Sequence, residues 1–126
     1  MFEQDYIMRQ IREMIAVIMK LIFGKEIESA EAIEQYRAEG KGEIELFCRM
    51  IDRGEIAEAE RLLYDSITMK TEAELLKGYA FYQYLMQKDD VFLETHGFPR
   101  DRVIAGIRQL AALFGARHIA DMFFAD

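Results

Sequence analysis

The amino-acid sequence predicts an all-α protein, a compact bundle of about six helices in a single domain over residues 1–126. Apolar residues recur at intervals of three and four along most of the chain, which is the spacing of one helix face. Glycines fall where these periodic segments end, and the alternation typical of strands is too short to predict a sheet. A chain of 126 residues fits one domain and can bury roughly 65% of its unfolded surface.

The first helix is predicted over residues 2–23 and ends at Gly24, so that 1–24 forms a hydrophobic N-terminal helix. Its first half is amphipathic. Its second half is apolar on nearly every face, which implies contacts on more than one side. The chain's own core or a second copy could supply these contacts. The candidate interface residues on this helix are Ile11, Ile15, Ile18 and Ile22.

Three helices are predicted in the next part of the chain. The second covers 28–39 and has few apolar residues, so it should lie at the periphery of the bundle. The third runs from Gly42 to Gly54, and the fourth runs from Glu55 to about Thr68. The two are close enough in sequence to form a hairpin.

The remaining helices begin at recognisable caps. Thr71 and Glu74 have the spacing of a capping box, which predicts a fifth helix from Glu72 to about Glu94. Pro99 suits the first position of a sixth helix, and a last short helix is predicted in RHIADMFF. The apolar stripe of the sixth helix consists of Val103, Ile104, Ile107, Leu110, Ala111 and Phe114.

The fifth helix, which opens the region 72–126 that also holds the C-terminal helices, has aromatic residues on two faces. Tyr79 and Tyr82 share one face, and Phe81 and Tyr84 point elsewhere, because successive residues are rotated by about 100°. Such a helix is either buried in the middle of a bundle or faces a partner or a ligand. The sequence leaves both alternatives open, and Tyr79 and Tyr82 complete the candidate interface.

The predicted hairpin over 42–69 contains the patterned stretch RGEIAEAERLLYDSI. Gly54 suits its turn, Ala59 is small enough for a close helix crossing, and Leu63 follows at the spacing of a large apolar residue. In these positions the hairpin resembles a tetratricopeptide (TPR-like) unit, which belongs to repeats that recognise other proteins. Phe47 stands where that family has a small residue, and no second copy occurs about 34 residues away. An ordinary antiparallel helix pair is the alternative.

A second resemblance covers nearly the whole chain. The segments DYIMRQIREM and LIFGKE, then GEIAEAERLL, then GFPRDRVIAGIRQLAALFG, in this order, are similar to a family of short uncharacterised bacterial helical proteins. The resemblance implies a helical fold and a bacterial cytoplasmic setting. That family has no established activity, so the resemblance implies no site residues.

The charge distribution disfavours nucleic acid as a partner. The formal net charge is −7. Residues 26–76 carry six basic and fourteen acidic groups, a net charge of −8, whereas 77–126 carry six of each. Because this acidic block repels phosphate backbones, no nucleic-acid partner is expected.

The N-terminal apolar segment MIAVIMKLIFG, residues 14–24, is too short to cross a bilayer, which takes about 20 apolar residues. Acidic residues precede it where a signal peptide would carry basic ones. Neither a membrane span nor a signal peptide is expected. Cys48 is the single cysteine, so no internal disulfide can form, and a cytoplasmic location is predicted.

Motifs that would indicate catalysis or metal binding are missing from the sequence. His96 and His118 are the two histidines, and neither lies in a metal-binding or di-iron spacing. No glycine-rich phosphate loop and no nucleophile elbow occurs. Cys48 alone cannot build a thiolate metal site. We therefore expect no catalytic, cofactor-binding or metal-binding residues and no enzyme activity.

Two functions from different classes remain. The first is a protein–protein interaction module that binds another protein or a second copy of itself as a homodimer. The second is a small-molecule carrier or sensor with a pocket among Tyr79, Tyr82, Phe114 and the methionines, of which there are eight. Membrane attachment through residues 14–23 is not expected, because the polar face has too few basic residues.

Overall fold

The computed structural model describes residues 4–25 and 41–124, so the helix predicted over 28–39 lies outside the described residues. The described residues are all-helical, as predicted, and contain no strand. None of their helices is long and apolar enough to cross a bilayer. The helices are α1 (Gln4–Phe23), α2 (Lys41–Asp52), α3 (Ile56–Ser66), α4 (Glu72–Met86), α5 (Asp90–Thr95), α6 (Arg100–Leu113) and α7 (Arg117–Phe123).

Helix α4 occupies the centre of the bundle, where it contacts α1, α2 and α6. Tyr79, Phe81 and Tyr82 are each exposed by 2% or less, and Tyr84 is half-buried. Phe81 packs edge-on against Phe47 of α2, with ring centroids 5.8 Å apart. The sequence left open whether the aromatic helix is buried in the middle of the bundle or faces a partner or a ligand. At Tyr79, Phe81 and Tyr82, the helix is buried in the bundle. Each buried aromatic ring removes about 150–250 Å² from water, so α4 carries much of the hydrophobic stabilisation.

The long fifth helix predicted from Glu72 to Glu94 is wrong in extent. Helix α4 ends at Met86, and Asp89 starts the separate helix α5 by accepting a hydrogen bond from the backbone N–H of Phe92 at 2.8 Å. An aspartate at this position satisfies one of the unpaired N–H groups of a helix start and favours a break over continuation.

Helices α4 and α6 begin at or next to their predicted positions. Thr71 caps α4 as predicted, because its Oγ1 accepts from the backbone N–H of Glu74 at 3.2 Å. Pro99 stands one position earlier than predicted, as the N-cap before Arg100, with extended backbone. The fixed φ of proline is compatible with either position.

The C-terminal end of α4 is held by side chains from two other helices. The Met86 carbonyl accepts from Gln4 Nε2 of α1 at 2.6 Å and from Arg100 Nη1 of α6 at 3.3 Å. Arg100 Nη2 also donates to the Lys88 carbonyl at 2.7 Å. Carbonyls at a helix end lack partners within the helix. These bonds therefore satisfy the end of α4 and fix its position against α1 and α6.

Lys77 of α4 is charged although its side chain is only 3% exposed. Its ammonium lies 3.1 Å from a carboxylate oxygen of Glu74 and 3.3 Å from one of Glu43 on α2. It also donates to the Ser66 carbonyl at 3.5 Å. A buried charge is tolerated only when it is paired and hydrogen-bonded. The two carboxylates meet this condition, and the one from Glu43 joins α2 to α4.

Helices α2 and α3 contact each other across a short turn in which Gly54 has a φ of +82°. A Cβ at this position would overlap the imidazole ring of His96, which packs over the turn from the segment between α5 and α6. Ala59 and Leu63 of α3 face the core, as the hairpin pattern requires. The likeness of this hairpin to a tetratricopeptide unit stays a prediction.

Gly54→Ala should destabilise the protein more than Gly115→Ala. Both glycines have positive φ, which costs a residue with a side chain about 1–2 kcal/mol. A methyl group at Gly115 would meet open space, whereas at Gly54 the methyl would also displace the His96 ring. Overpacking should add about 1–3 kcal/mol. Urea denaturation of both variants measures the difference, which should shrink in a His96→Ala background. This account would be contradicted if Gly54→Ala exceeded Gly115→Ala by the same free energy with and without His96.

Candidate functional site

A groove of about 560 Å³ runs between α1, α6 and α7. Helix α6 lines it with a stripe that we call the α6 stripe, formed by Asp101, Ile104, Ala105 and Arg108. These residues are spaced i, i+3, i+4 and i+7, so they lie on one face of the helix. The other lining residues are Tyr6, Ile7 and Gln10 of α1 and Met122, Phe123 and Phe124 at the C-terminal end of the described chain.

The α6 stripe is left open because the other side of α6 is used for packing. Val103, Ile107 and Leu110 are buried against the core, where α6 contacts α4 and α7. The sequence predicts Ile104 in the same core stripe, yet the structure places it in the groove, where it is only partly buried. At 100° per residue, positions 103 and 104 must face different directions.

The groove combines apolar walls with opposite charges at the two ends of the α6 stripe. Asp101 is exposed near the N-terminus of α6, and Arg108 is half-buried two turns later. Seven residues of helix separate them by about 10.5 Å along the axis. Ile104 and Ala105 form the apolar stretch between them. The stripe therefore presents an acid, a small hydrophobic patch and a base in a line.

A smaller groove of about 290 Å³ continues from the first around the start of α6. It shares Ile7, Asp101 and Ile104 with the main groove and adds Asp90, Glu94, Pro99 and Arg100. The guanidinium of Arg100 binds Asp90 and two backbone carbonyls. This end of the combined site consequently carries more acidic than basic groups.

On the core side of α6, Gly106 makes room for a buried hydrogen-bond network. Tyr82 Oη of α4 donates to Glu60 Oε2 of α3 at 2.6 Å. Tyr64 Oη lies 3.0 Å from Tyr82 Oη and also donates to the Gly106 carbonyl at 3.0 Å. A Cβ at Gly106 would stand 2.6 Å from both Tyr82 Oη and Glu60 Oε2. A glycine is therefore required for α3, α4 and α6 to meet through these groups.

Burial raises the pKa of both phenols in this network. Desolvation is the main cause of the raised pKa at Tyr64 and at Tyr82, and the nearby Glu60 carboxylate adds to it. Both hydroxyls therefore remain protonated donors at neutral pH. Their arrangement joins α3, α4 and α6, and we assign it a structural role.

The sequence matches a known family over most of its length. Residues 1–115 match a family of unknown function, DUF6483. The chain belongs to this family. No match was found among curated proteins or among solved structures. Membership agrees with the resemblance to an uncharacterised helical family seen in the sequence, and it assigns no activity.

The candidate interface residues lie mainly inside the chain. Ile11, Ile15, Ile18, Tyr79 and Tyr82 are each exposed by 2% or less, and Ile22 is 42% exposed. Within one copy, α1 packs against both α4 and α7, whereas Leu21 and Ile22 near its end are 67% and 42% exposed. Of the six, only Ile22 reaches the surface of a single copy.

The pocket predicted among Tyr79, Tyr82 and Phe114 does not coincide with either groove, because these rings are buried in the core. Of the methionines, Met122 lines the main groove.

The main groove was not predicted from the sequence. The available signal was the spacing of Asp101, Ile104, Ala105 and Arg108, which puts a polar-edged apolar patch opposite the core stripe.

The residues screened for metal or nucleophilic chemistry lie apart from the groove. His96 stacks near Phe92, with ring centroids 4.6 Å apart, and Cys48 is half-buried on α2. Within residues 4–25 and 41–124, no group of three or more histidine, cysteine, aspartate or glutamate side chains could hold a metal ion.

Stability should fall above pH 10 in a way that depends on the Tyr64–Tyr82 pair. The unfolded phenols ionise near pH 10, whereas the folded pKa values are raised, so the unfolded state loses protons first. The stabilisation is complete below pH 10 and is lost as the pH rises above it. Each phenol should contribute a slope of about 1.4 kcal/mol per pH unit.

Urea denaturation of wild type and of Tyr64→Phe/Tyr82→Phe between pH 8 and pH 11 tests this expectation. The variant should show the shallower loss of stability above pH 10. The comparison at pH 8, where phenols are neutral in both states, isolates the cost of the lost hydrogen bonds. Parallel pH curves for the two proteins would count against the raised pKa values.

Proposed function

We propose that the protein is a non-enzymatic interaction module that binds a protein partner in the groove between α1, α6 and α7. The observation that supports this most is the open α6 stripe, with its i, i+3, i+4, i+7 spacing, between exposed rims. Tyr6 on one rim is 41% exposed and Met122 on the other is 77% exposed. A groove with an apolar stretch of this length can accept an amphipathic helix, whose own residues would supply the anchors.

The chemistry of the lining favours a protein over a small molecule as the occupant. Tyrosine, phenylalanine, methionine and arginine are the side chains enriched at protein interfaces, and all four occur here. A small-molecule site normally encloses 70–90% of its ligand. Met122 projects into solvent at the edge of this groove, which suits a surface that is completed by a partner.

A small apolar carboxylate is the second candidate occupant. The groove volume of about 560 Å³ lies within the range of ligand sites, and Arg108 could bind a carboxylate at one end. A rise in melting temperature with medium-chain fatty acids, lost in Arg108→Gln, would support this carrier or sensor role. A flat melting temperature across chain lengths would weaken it.

The setting we propose is the bacterial cytoplasm, which rests on the sequence resemblance and the single cysteine. The TPR-like pattern of the α2–α3 hairpin supports the same functional class, because such hairpins occur in proteins that recognise proteins. Nucleic acids are not among the proposed partners, since residues 26–76 are strongly acidic.

A photo-crosslinking amino acid at Met122 should capture the partner in living cells of the source organism. Met122→p-benzoylphenylalanine places the reactive ketone at the groove rim, and Met69→p-benzoylphenylalanine is the matched control. Met69 is also an exposed methionine, at 65%, and it lines neither groove. We expect discrete adducts on gels from position 122 and none of the same mass from position 69. Identical patterns, or none, would contradict binding in the groove.

A further inference from the structure

We infer that the partner is a second copy of this chain, and that two α6 helices pack antiparallel across a two-fold axis with reciprocal Asp101–Arg108 ion pairs. The inference rests on the proposed function, because it names the occupant of the same groove. It makes each copy both the binding surface and the ligand.

The order of residues along the α6 stripe carries the inference. The midpoint between Asp101 and Arg108 falls between Ile104 and Ala105. A two-fold axis through this midpoint reverses the direction of the second helix. Asp101 of one copy then lies opposite Arg108 of the partner subunit, and the reverse pair forms at the other end. An isologous interface requires this kind of self-complementary surface.

Charge complementarity separates the antiparallel arrangement from its alternatives. In a parallel pair, Asp101 would face the partner's Asp101 and Arg108 would face the partner's Arg108, so that like charges repel. The net charge of −7 also opposes association of two copies in general. The α6 stripe itself is neutral, which reduces this repulsion at the contact.

The side chains at the proposed axis permit close packing. Ala105 is small and exposed at the centre of the stripe, so the helix axes can approach to about 8–10 Å. Arg108 is half-buried in the groove. Its guanidinium has five N–H donors, so a carboxylate from the partner can bind in addition to contacts within the chain.

The size of the contact predicts a reversible dimer. The stripe covers two helical turns, and the rims with Tyr6 and Met122 extend it. Ten residues line the groove, which is fewer than the roughly 20–30 residues a side of a standard interface. Association should therefore depend on protein concentration in the micromolar range, with monomer prevailing on dilution.

Charge reversal tests the reciprocal pairs by sedimentation equilibrium and native mass spectrometry. Asp101→Arg and Arg108→Asp should each weaken the dimer roughly tenfold or more, because both pairs become repulsive. The doubly swapped variant should dimerise again, and an equimolar mixture of the two single variants should give the heterodimer. Asp121→Arg and Arg117→Asp are controls with the same charge changes at exposed positions of α7 that line neither groove.

Disulfide trapping tests the orientation without altering the charges. In a Cys48→Ala background, Ala105→Cys should form an intermolecular disulfide. In the antiparallel pair, position 105 of one copy and position 105 of the second copy are offset by only about 1.5 Å along the helix axes. Ala112→Cys is the control on the same helix face, where the two cysteines would be about 22 Å apart. Trapping at position 112 as readily as at 105 would overturn the antiparallel arrangement.

The outcomes separate this inference from the proposed function. A wild-type monomer at all concentrations, with position-122 adducts of a mass other than twice the chain, overturns the dimer and leaves partner binding intact. Absence of both dimer and adducts overturns the two together. A dimer that both single reversals leave unchanged, or that the double swap fails to restore, overturns the reciprocal pairs.

Discussion

The burial of the aromatic residues of α4 is the constraint around which the other helices are arranged. Tyr79, Phe81 and Tyr82 point in different directions and all lie in the core. One neighbour could not cover them, so α1, α2 and α6 each take one side of α4. The two-sided character of α1 follows from the same requirement, because α1 in turn needs α7 to cover its second apolar side.

A helix buried in this way must also have its polar groups satisfied by its neighbours. The C-terminal carbonyls of α4 bind Gln4 and Arg100, and the ammonium of Lys77 is paired with Glu43 and Glu74. Gln4, Arg100 and Glu43 belong to three other helices, so each of these three contacts also limits how its helix can rotate or slide against α4. Apolar burial supplies the driving force, and the polar contacts select one arrangement.

The helical class and most helix positions could be predicted, since they depend on local periodicity and caps such as Thr71. The break at Asp89 was missed because the apolar pattern continues past it in Val91 and Leu93, while the cap acts through a single hydrogen bond. The periodicity of the sequence identified the apolar residues of α1 and α4, but it did not predict which helices pack against them. The spacing of the α6 stripe is visible in the sequence, but the groove itself could not be predicted, because it depends on how α1, α6 and α7 meet in space.

The Tyr64–Tyr82–Glu60 network has a consequence for the order of events in folding. Tyr64 and the Gly106 carbonyl are 42 positions apart in the chain, and the bonds close only after α3, α4 and α6 have all docked. Local helix formation and the first apolar contacts precede such long-range closure. We therefore expect the network to form late in folding, and to slow unfolding more than it accelerates folding.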